Sequence, residues 1–279
     1  MASWARFAAI SDIHGNLPAL DAVLADIAAQ GVEAVVNLGD ILSGPLWAAA
    51  TANRLMALQL PTIAGNHERQ LLTQDRARMS ASDRHTADEL RPHHREWLAT
   101  LPATLPLGDE VFCCHGTPSS DLTYFLETPV PGFAGVGSGA NGVRPASLAE
   151  ATARAGSAMQ GVEHALILCG HTHKPRTLRL ADGRLIVNPG SVGLPGFDDA
   201  HGHPHVIENG APHARYALLE RVAAGWNVSL RAVAYDWEAA ARRAESEGRA
   251  DWAGPLRTGF MTVMEGARAG LSSPRQPAR

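Results

Sequence analysis

Two histidines, His171 and His173, directly follow an apolar run at residues 166–169, in the stretch LILCGHTHKP. A short apolar run before a glycine is typical of a buried strand that ends in a tight turn. Residues i and i+2 of an extended chain point to the same side, so both imidazoles can approach one point. Because neutral imidazoles are common metal ligands, the pair predicts half of a metal site. The alternative is a polar loop with two solvated histidines.

Other polar residues share this placement, since each stands just past a predicted strand. They are Asp12, His14, Asp40, Asn66, His67, His115, His171 and His173. In parallel α/β sheets, ligands bind in the crevice at the carboxyl ends of the strands. We therefore expect these side chains to surround one crevice.

The residue types in this set favour a particular class of metal. Carboxylate, imidazole and carboxamide ligands together suit Mn, Fe, Co, Ni or Zn, rather than calcium or a structural zinc bound by thiolates. Seven such ligands exceed what one ion needs, and they divide well between two ions that share a carboxylate. His171 and His173 then contribute one imidazole to each ion. Two ions about 3.5–4 Å apart activate water and stabilise in-line displacement at phosphorus.

The elements that position these residues follow from hydrophobic periodicity. Strands at residues 7–10, 32–38 and 60–64 alternate with helices at 16–31 and 45–58, which predicts right-handed crossovers and a parallel sheet. The later predictions are one or two helices in 83–101, a hairpin of 105–107 and 111–114, a helix at 146–159, strands at 165–169, 177–180, 184–187, 216–220 and 226–235, and a closing helix from 236.

Composition restricts the class of protein. The chain of 279 residues has a net charge of −4 and a pI near 6.3, which makes nucleic acid an unlikely partner. No apolar run predicts a membrane helix or a signal peptide. Three cysteines form no disulfide framework, so we expect a cytoplasmic protein in which Cys113 and Cys114 are structural.

The motifs SDIHGN, NLGD, AGNHE, CHG and CGHTH together resemble the calcineurin-like metallophosphoesterase superfamily in order and approximate spacing. The later NPGSVG resembles its small bacterial and archaeal phosphodiesterase branch. Most of the chain is covered by this resemblance. It departs from the branch after NPGSVGLP, where this chain inserts GFDDAHGHPHVIENGAPH.

The resemblance implies an α/β fold, a four-layer sandwich with two central β-sheets flanked by helices. It assigns one metal to Asp12, His14, Asp40 and His173, and the second metal to Asp40, Asn66, His115 and His171. Asp40 would bridge the two ions. His67 resembles the family's histidine that contacts phosphate and protonates the leaving oxygen. We expect a single domain at residues 1–270 and a disordered tail at 271–279.

These features predict a metallophosphoesterase with two divalent metal ions, in which a hydroxide that bridges the ions attacks phosphorus. The expected partner is a small phosphorylated substrate, a phosphodiester such as a nucleotide or else a phosphomonoester. A metal-free scaffold that binds proteins is the alternative from a different class, and it requires that ligands be lost. A nuclease is a third possibility, which the acidic pI disfavours. The sequence does not predict the oligomeric state.

Two long segments are predicted as loops, at residues 117–143 and 196–213, which either cap the crevice, because each begins close to a motif, or form a disordered surface. As a cap they would bring Tyr124, Phe125 and Phe197 close enough to stack on a substrate.

Several polar residues remain outside this scheme. Lys174, the single lysine, follows the metal ligands and is predicted either to contact a phosphate or to be solvated. Glu68 is predicted to be a solvated carboxylate at the start of a helix. The cluster His201, His203 and His205 has metal-like spacing in a Gly- and Pro-rich loop, and solvated histidines are the favoured interpretation.

Overall fold

Strands and helices alternate at the start of the chain, as the periodicity predicts. The computed structural model describes residues 4–265. Its elements up to the first hairpin are β1 (Arg6–Ile10), α1 (Leu17–Ala29), β2 (Val35–Asn37), α2 (Ala48–Leu58), α3 (Asn66–Thr73), α4 (Ala81–Glu89), α5 (Pro92–Ala99), β3 (Thr104–Leu107) and β4 (Val111–Cys114).

Short strands dominate the remainder. They and the helices among them are β5 (Glu127–Pro129), β6 (Val143–Pro145), α6 (Leu148–Ala155), β7 (Leu166–Leu168), β8 (Arg176–Arg179), β9 (Leu185–Asn188), β10 (Gly196–Asp199), β11 (His205–Glu208), β12 (Ala214–Val222), β13 (Gly225–Val233), α7 (Trp237–Ser246) and α8 (Ala250–Thr258). No helix within residues 4–265 is long and apolar enough to cross a membrane.

Two larger sheets organise these strands. The first has the order β13-β12-β1-β2, in which β1 and β2 are parallel, and the second has the order β3-β4-β7-β9-β8, in which β4, β7 and β9 are parallel. Parallel pairing places the carboxyl ends of β1 and β2 at one edge, and those of β4 and β7 likewise. The predicted strand at 60–64 makes only a single parallel bridge, between Thr62 and Asn37.

Apolar side chains form separate layers on the two faces of each sheet. A cluster around Phe7 lies between the sheets and joins residues of β1, β2 and β12 to residues of β4, β7 and β9. On the outer face of the first sheet, α1, α2 and α5 contribute a second cluster, and α6 covers the outer face of the second sheet. The predicted four-layer sandwich is confirmed.

Helix α1 shows how local sequence positions the loop after β1. The Asn16 side chain accepts a hydrogen bond from Ala19 N, and Pro18 occupies the first turn, where its missing N–H costs nothing. One face of the helix, including Leu20 and Val23, is buried against the sheet. The chain between Ile10 and Asn16 is therefore held at both ends.

Both segments predicted as loops contribute strands to hairpins, so that part of the prediction was wrong. Residues 117–143 include β5, which pairs with β6, and residues 196–213 contain β10 paired with β11. Frequent glycine, proline and histidine concealed the short alternations, while backbone pairing satisfies the polar groups that these residues would otherwise expose. The predicted disordered tail, 271–279, lies outside the described residues.

Phe7 gives a test of the layer between the sheets. Its ring is fully buried and meets Trp4 and Trp226 edge to face, with centroids 5.3 and 5.8 Å away. We expect Phe7→Ala to lower the free energy of unfolding by about 3–5 kcal/mol, because it leaves a cavity. Denaturant unfolding measures this, and Phe260→Ala is the matched control because Phe260 is 52% exposed. Equal losses in the two variants would contradict the described layer.

Candidate metal centre

Six of the predicted ligands converge in two buried groups. Asp12, His14 and His173 form the first group, and Asp40, His115 and His171 form the second. In each group the candidate ligand atoms all lie within 4.8 Å of one another. The groups adjoin, since His115 Nε2 lies 4.0 Å from Asp12 Oδ1. His171 and His173 belong to different groups.

The backbone of these residues corrects one step of the sequence argument. The segment holding His171 and His173 is not extended, because both residues have left-handed backbone conformations. The same is true of three more ligands, and the φ angles are 54° at Asp12, 51° at His14, 53° at Asp40, 68° at His171 and 56° at His173. Each such conformation costs about 1–3 kcal/mol at a non-glycine residue and persists only where the surroundings enforce it. Left-handed turns, rather than strand alternation, direct these side chains into the centre.

Two glycines allow the ligand segments to pack closely. A Cβ atom at Gly65 would collide with Asp40 Oδ1, and one at Gly170 would collide with Ser11 Oγ and approach Asp12 Oδ2 to 3.0 Å. These positions stand immediately before Asn66 and His171. Glycine at both sites therefore lets neighbouring loops approach the two carboxylates.

Each of the four imidazoles uses one ring nitrogen on a main-chain carbonyl. The pairs are His14 Nδ1 to Ser43 O at 2.7 Å, His115 Nδ1 to Leu38 O at 2.8 Å, His171 Nε2 to Leu122 O at 3.2 Å and His173 Nδ1 to Leu194 O at 2.6 Å. A carbonyl only accepts, so each of these nitrogens must carry the proton. In the neutral ring the other nitrogen then presents its lone pair to the centre.

At two places in the centre, atoms that can act as hydrogen-bond acceptors lie close to one another. His14 Nε2 and His173 Nε2 are 3.1 Å apart, and when both rings are neutral neither nitrogen has a proton to donate. The Asn66 amide oxygen lies 3.2 Å from Asp40 Oδ2 and 3.1 Å from His171 Nδ1, and only a reversed amide could donate there. A cation among these atoms relieves the repulsion in both places. The residues present therefore fit two divalent metal ions.

Main-chain donors hold the two carboxylates in place. Asp12 accepts the N–H of His171, and Asp40 Oδ1 accepts the N–H of His67 at 3.0 Å. Burial would raise the pKa of Asp40, but His115 and His67 hold it well below the usual range. Burial and the neighbouring His173 lower the pKa of His14 to about 3. Asp40 is thus held ionised and His14 is held neutral, as metal ligands must be.

Glu68 is not the solvated carboxylate that its position predicted. It is fully buried and accepts hydrogen bonds from the main-chain N–H groups of Asp40, Ile41 and Gly65, at 2.8–2.9 Å. Glu68 therefore connects the loop after β2 to the start of α3. That connection fixes the left-handed turn at Asp40.

His67 has a partner that the sequence did not reveal. Its Nδ1 lies 2.8 Å from Asp83 Oδ1, which also accepts the hydroxyl of Ser43 at 2.7 Å. Burial alone would lower the pKa of His67, but the carboxylates of Asp83 and Asp40 overcome this and raise it to about 10. Asp83 stands three residues after Ser80, which caps α4, so its position suggested only an acid in a first helical turn.

The residues predicted to bind substrate lie in different surroundings. Phe125 is 1% exposed and packs with Cys114 and Ile167 in the core over the second sheet, so it cannot stack on a substrate in this structure. The Tyr124 ring packs against His171 at 4.8 Å. Lys174 is not among the described residues that line either cavity beside the centre.

Phe197 and the histidine cluster at 201–205 lie close to the metal ligands or to the cavities beside them. The Phe197 ring packs against His173 at 4.4 Å. His205 is buried and bonds the Tyr124 hydroxyl at 2.9 Å, His201 lines both cavities, and His203 is exposed. The three histidines of this cluster do not converge on one point within the described chain.

The arrangement of strands, glycine turns and mixed ligands agrees with a comparison against protein families. The model of the calcineurin-like phosphoesterase superfamily domain matches residues 6–208. The chain belongs to this superfamily. It is therefore a phosphoric ester hydrolase, as its motifs predicted. None of the curated proteins compared with the chain matches it significantly.

Solved structures agree on the fold. The chain is similar to a metallophosphoesterase from Sphaerobacter thermophilus, with 24% identity and a TM-score of 0.67 over 92% of this chain and 99% of that one. It is also similar to a hypothetical protein from Pyrococcus horikoshii, with 20% identity and a TM-score of 0.64 over the same shares of the two chains.

The role of Glu68 can be tested by an isosteric change. In Glu68→Gln, an amide NH2 replaces one oxygen and faces main-chain N–H groups that lose their acceptor. We expect the free energy of unfolding to fall by about 1–3 kcal/mol, as for other buried donors left unpaired. Metal content after reconstitution should fall as well, because the turn at Asp40 loosens. Glu96→Gln, on an exposed helix face, is the control. If Glu68→Gln had the same stability and metal content as this control, Glu68 would not connect the loop after β2 to α3.

Proposed function

We propose that this protein is a dinuclear metal-dependent phosphoesterase that hydrolyses phosphodiesters, with phosphomonoesters as a second class of substrate. The observation that carries the proposal is the set of four imidazoles whose outer ring nitrogens all bond main-chain carbonyls and whose inner nitrogens face a shared centre with Asp12 and Asp40. The first ion would be held by Asp12, His14, Asp40 and His173. The second would be held by Asp40, Asn66, His115 and His171.

Nitrogen and oxygen ligands in this mixture suit Mn, Fe, Co, Ni or Zn. Bound there, two such ions would supply an activated water and neutralise the oxygens of the phosphate. The protein's own contribution is to keep the ligand atoms aimed inward, through carbonyl groups that orient each imidazole.

His67 is placed to move a proton rather than to bind a metal. It lines the main cavity beside Asn66, and its side chain is 23% exposed. Asp83 holds Nδ1, so Nε2 is the atom left to deliver a proton to the leaving alkoxide oxygen. Asp83 and Ser43 act as positioning residues, since they set the orientation of the ring without touching substrate.

The alternatives have less support. A metal-free scaffold would not need six buried ligand side chains gathered in two adjoining groups. A nuclease would need positive charge along a path for the strand. Among the described residues, neither cavity beside the centre has an arginine or lysine free to bind a nucleic-acid phosphate. The single guanidinium there belongs to Arg154, and it already donates hydrogen bonds to protein oxygens.

Metal content tests the assignment of the ligands. We expect about two divalent ions per chain after reconstitution with Mn or Zn, as in two-metal hydrolytic sites. Asp40→Asn should lower occupancy most, because a bridging carboxylate serves both ions and screens their repulsion. Elemental analysis measures this, with the exposed Asp109→Asn as control. A stoichiometry near zero at saturating metal would contradict the enzyme proposal.

Replacement of His67 separates the proton donor from the ligands. His67→Ala should leave metal content unchanged and lower turnover by roughly 10²–10⁴-fold, the usual contribution of a general acid. The loss should shrink for aryl esters whose leaving group needs no proton. Steady-state kinetics with alkyl and aryl phosphodiesters measures both effects, and the exposed His93→Ala is the control. Loss of metal from the His67 variant would show that this residue belongs with the ligands.

A further inference from the structure

The main cavity extends from the metal ligands to a wall formed by the C-terminal part of the chain. It has a volume of about 250 Å³ and borders His14, His67 and His173 at one end. A phosphate at the metal centre would project its organic group into this space. The lining of the far wall therefore bears on which substrates fit, given the phosphoesterase function proposed above.

That wall is acidic. Asp198, Asp199, Asp251 and Glu265 line the cavity, and no lysine or arginine does so among the described residues. One guanidinium stands behind the wall, where Arg249 pairs with Asp251 at 2.6 Å and with Glu265 at 3.0 Å. Asp251 and Glu265 thus share one cation, and within residues 4–265 Asp198 and Asp199 pair with no arginine or lysine.

Asp198 is the carboxylate with the least compensation. Its Oδ1 accepts the main-chain N–H of Glu265 at 2.9 Å, and within residues 4–265 it has no arginine or lysine partner. Burial raises the pKa of Asp198, and the charges of Glu265 and Asp251 raise it further. A positive charge brought into the cavity would stabilise its ionised form.

These carboxylates do not gather around another metal ion. Within the described part of the chain, only the two ligand groups of the metal centre bring their atoms close enough to hold one. The negative charge is instead spread along a surface that also carries aromatic rings. Such a surface suits an organic cation better than a bare ion.

Two aromatic side chains stand between the metal ligands and the wall. Phe197 packs on His173, and Trp252 lies edge to face with His14 at 5.8 Å. Both line the cavity. The Trp252 ring already lies 5.8 Å from the guanidinium of Arg249, a cation–π distance. Aromatic faces beside carboxylates are a favourable environment for an ammonium group.

A smaller adjoining cavity of about 120 Å³ shows the same excess of acceptors. It shares Leu122, Asp199 and His201 with the main cavity and is lined by Glu127, which is only 4% exposed. Arg176 Nη1 lies 3.5 Å from Glu127 Oε1, whereas Oε2 has no hydrogen-bond partner. A buried polar atom of this kind needs a donor. Arg154 also lines this cavity, but its guanidinium already donates to two main-chain carbonyls and the hydroxyl of Thr128.

We propose that the natural substrate is a phosphate ester of an amino alcohol, with one phosphate and a protonated amine. The metal centre takes the phosphate, and the acidic, aromatic wall takes the ammonium group. Substrates with further phosphates bring additional negative charge against Asp198 and its neighbours, so polyphosphates and long nucleic acids are disfavoured.

The proposal is tested with three p-nitrophenyl phosphodiesters that share one leaving group and have second alcohols of similar size. The second alcohol is ethanolamine, propanol or glycolate, which are cationic, neutral and anionic. With the metal-loaded protein, we expect kcat/KM for the aminoethyl ester to exceed that for the propyl ester by roughly tenfold or more, and the glycolate ester to be the poorest substrate. Equal values for the aminoethyl and propyl esters would overturn the proposal.

Variants identify the wall as the source of the preference. Asp198→Asn keeps the oxygen that accepts the N–H of Glu265 and removes the charge, so the aminoethyl-to-propyl ratio should fall several-fold. Phe197→Leu keeps an apolar side chain without the aromatic face and should also lower the ratio. Glu163→Gln is the control, because that side chain is 88% exposed and lines neither cavity. A ratio unchanged by Asp198→Asn would contradict the assignment.

Binding measured without turnover separates this proposal from the phosphoesterase function. Calorimetric titration of ethanolamine and of propanol into metal-free protein should show weak binding of the amine alone, lost in Asp198→Asn. If none of the three esters were hydrolysed with any metal, the proposed function would fail, while amine binding would still support the ammonium-binding wall. Hydrolysis of all three esters without amine binding or preference would overturn only the substrate class.

Discussion

The candidate metal centre depends on the orientation of four imidazole rings, and four main-chain carbonyls decide that orientation. Ser43, Leu38, Leu122 and Leu194 each take the outer N–H of one ring, so the other ring nitrogen is turned toward the centre in every case. These carbonyls lie in loops that other contacts hold rigid, such as the Glu68 bonds beside Asp40. The orientations of the ligand rings are therefore set by the fold before any ion arrives.

Much of this centre could be predicted from residue order alone. Asp12, Asp40 and His115 each follow a strand, and parallel strands bring their carboxyl ends to one edge. The split of His171 and His173 between two groups also followed from the number of ligands. The fold of two packed sheets, in contrast, came from the motif resemblance, because short strands such as β7 carry too little pattern to reveal their neighbours.

The features of the site that the sequence did not predict have one physical cause in common. The roles of Glu68 and Asp83 come from groups that approach them from distant parts of the chain, main-chain N–H groups for Glu68 and His67 with Ser43 for Asp83. Both residues stand in first helical turns, where acids usually have a local purpose. Residue type and spacing also cannot show a left-handed φ at His171, because that conformation is imposed by packing around Gly170.

Each ligand group combines side chains from both halves of the sandwich. Asp12 and His14 follow a strand of the first sheet and meet His173 from the second, while Asp40 of the first sheet meets His115 and His171. Ions bound here would thus cross-link the two sheets at the edge where these ligand side chains face one another. Cohesion between the sheets then becomes a function of free metal concentration, through linkage between binding and folding. The apolar layer around Phe7 stabilises the packing of the two sheets at their centre, and bound metal would stabilise it at the edge where the strands end.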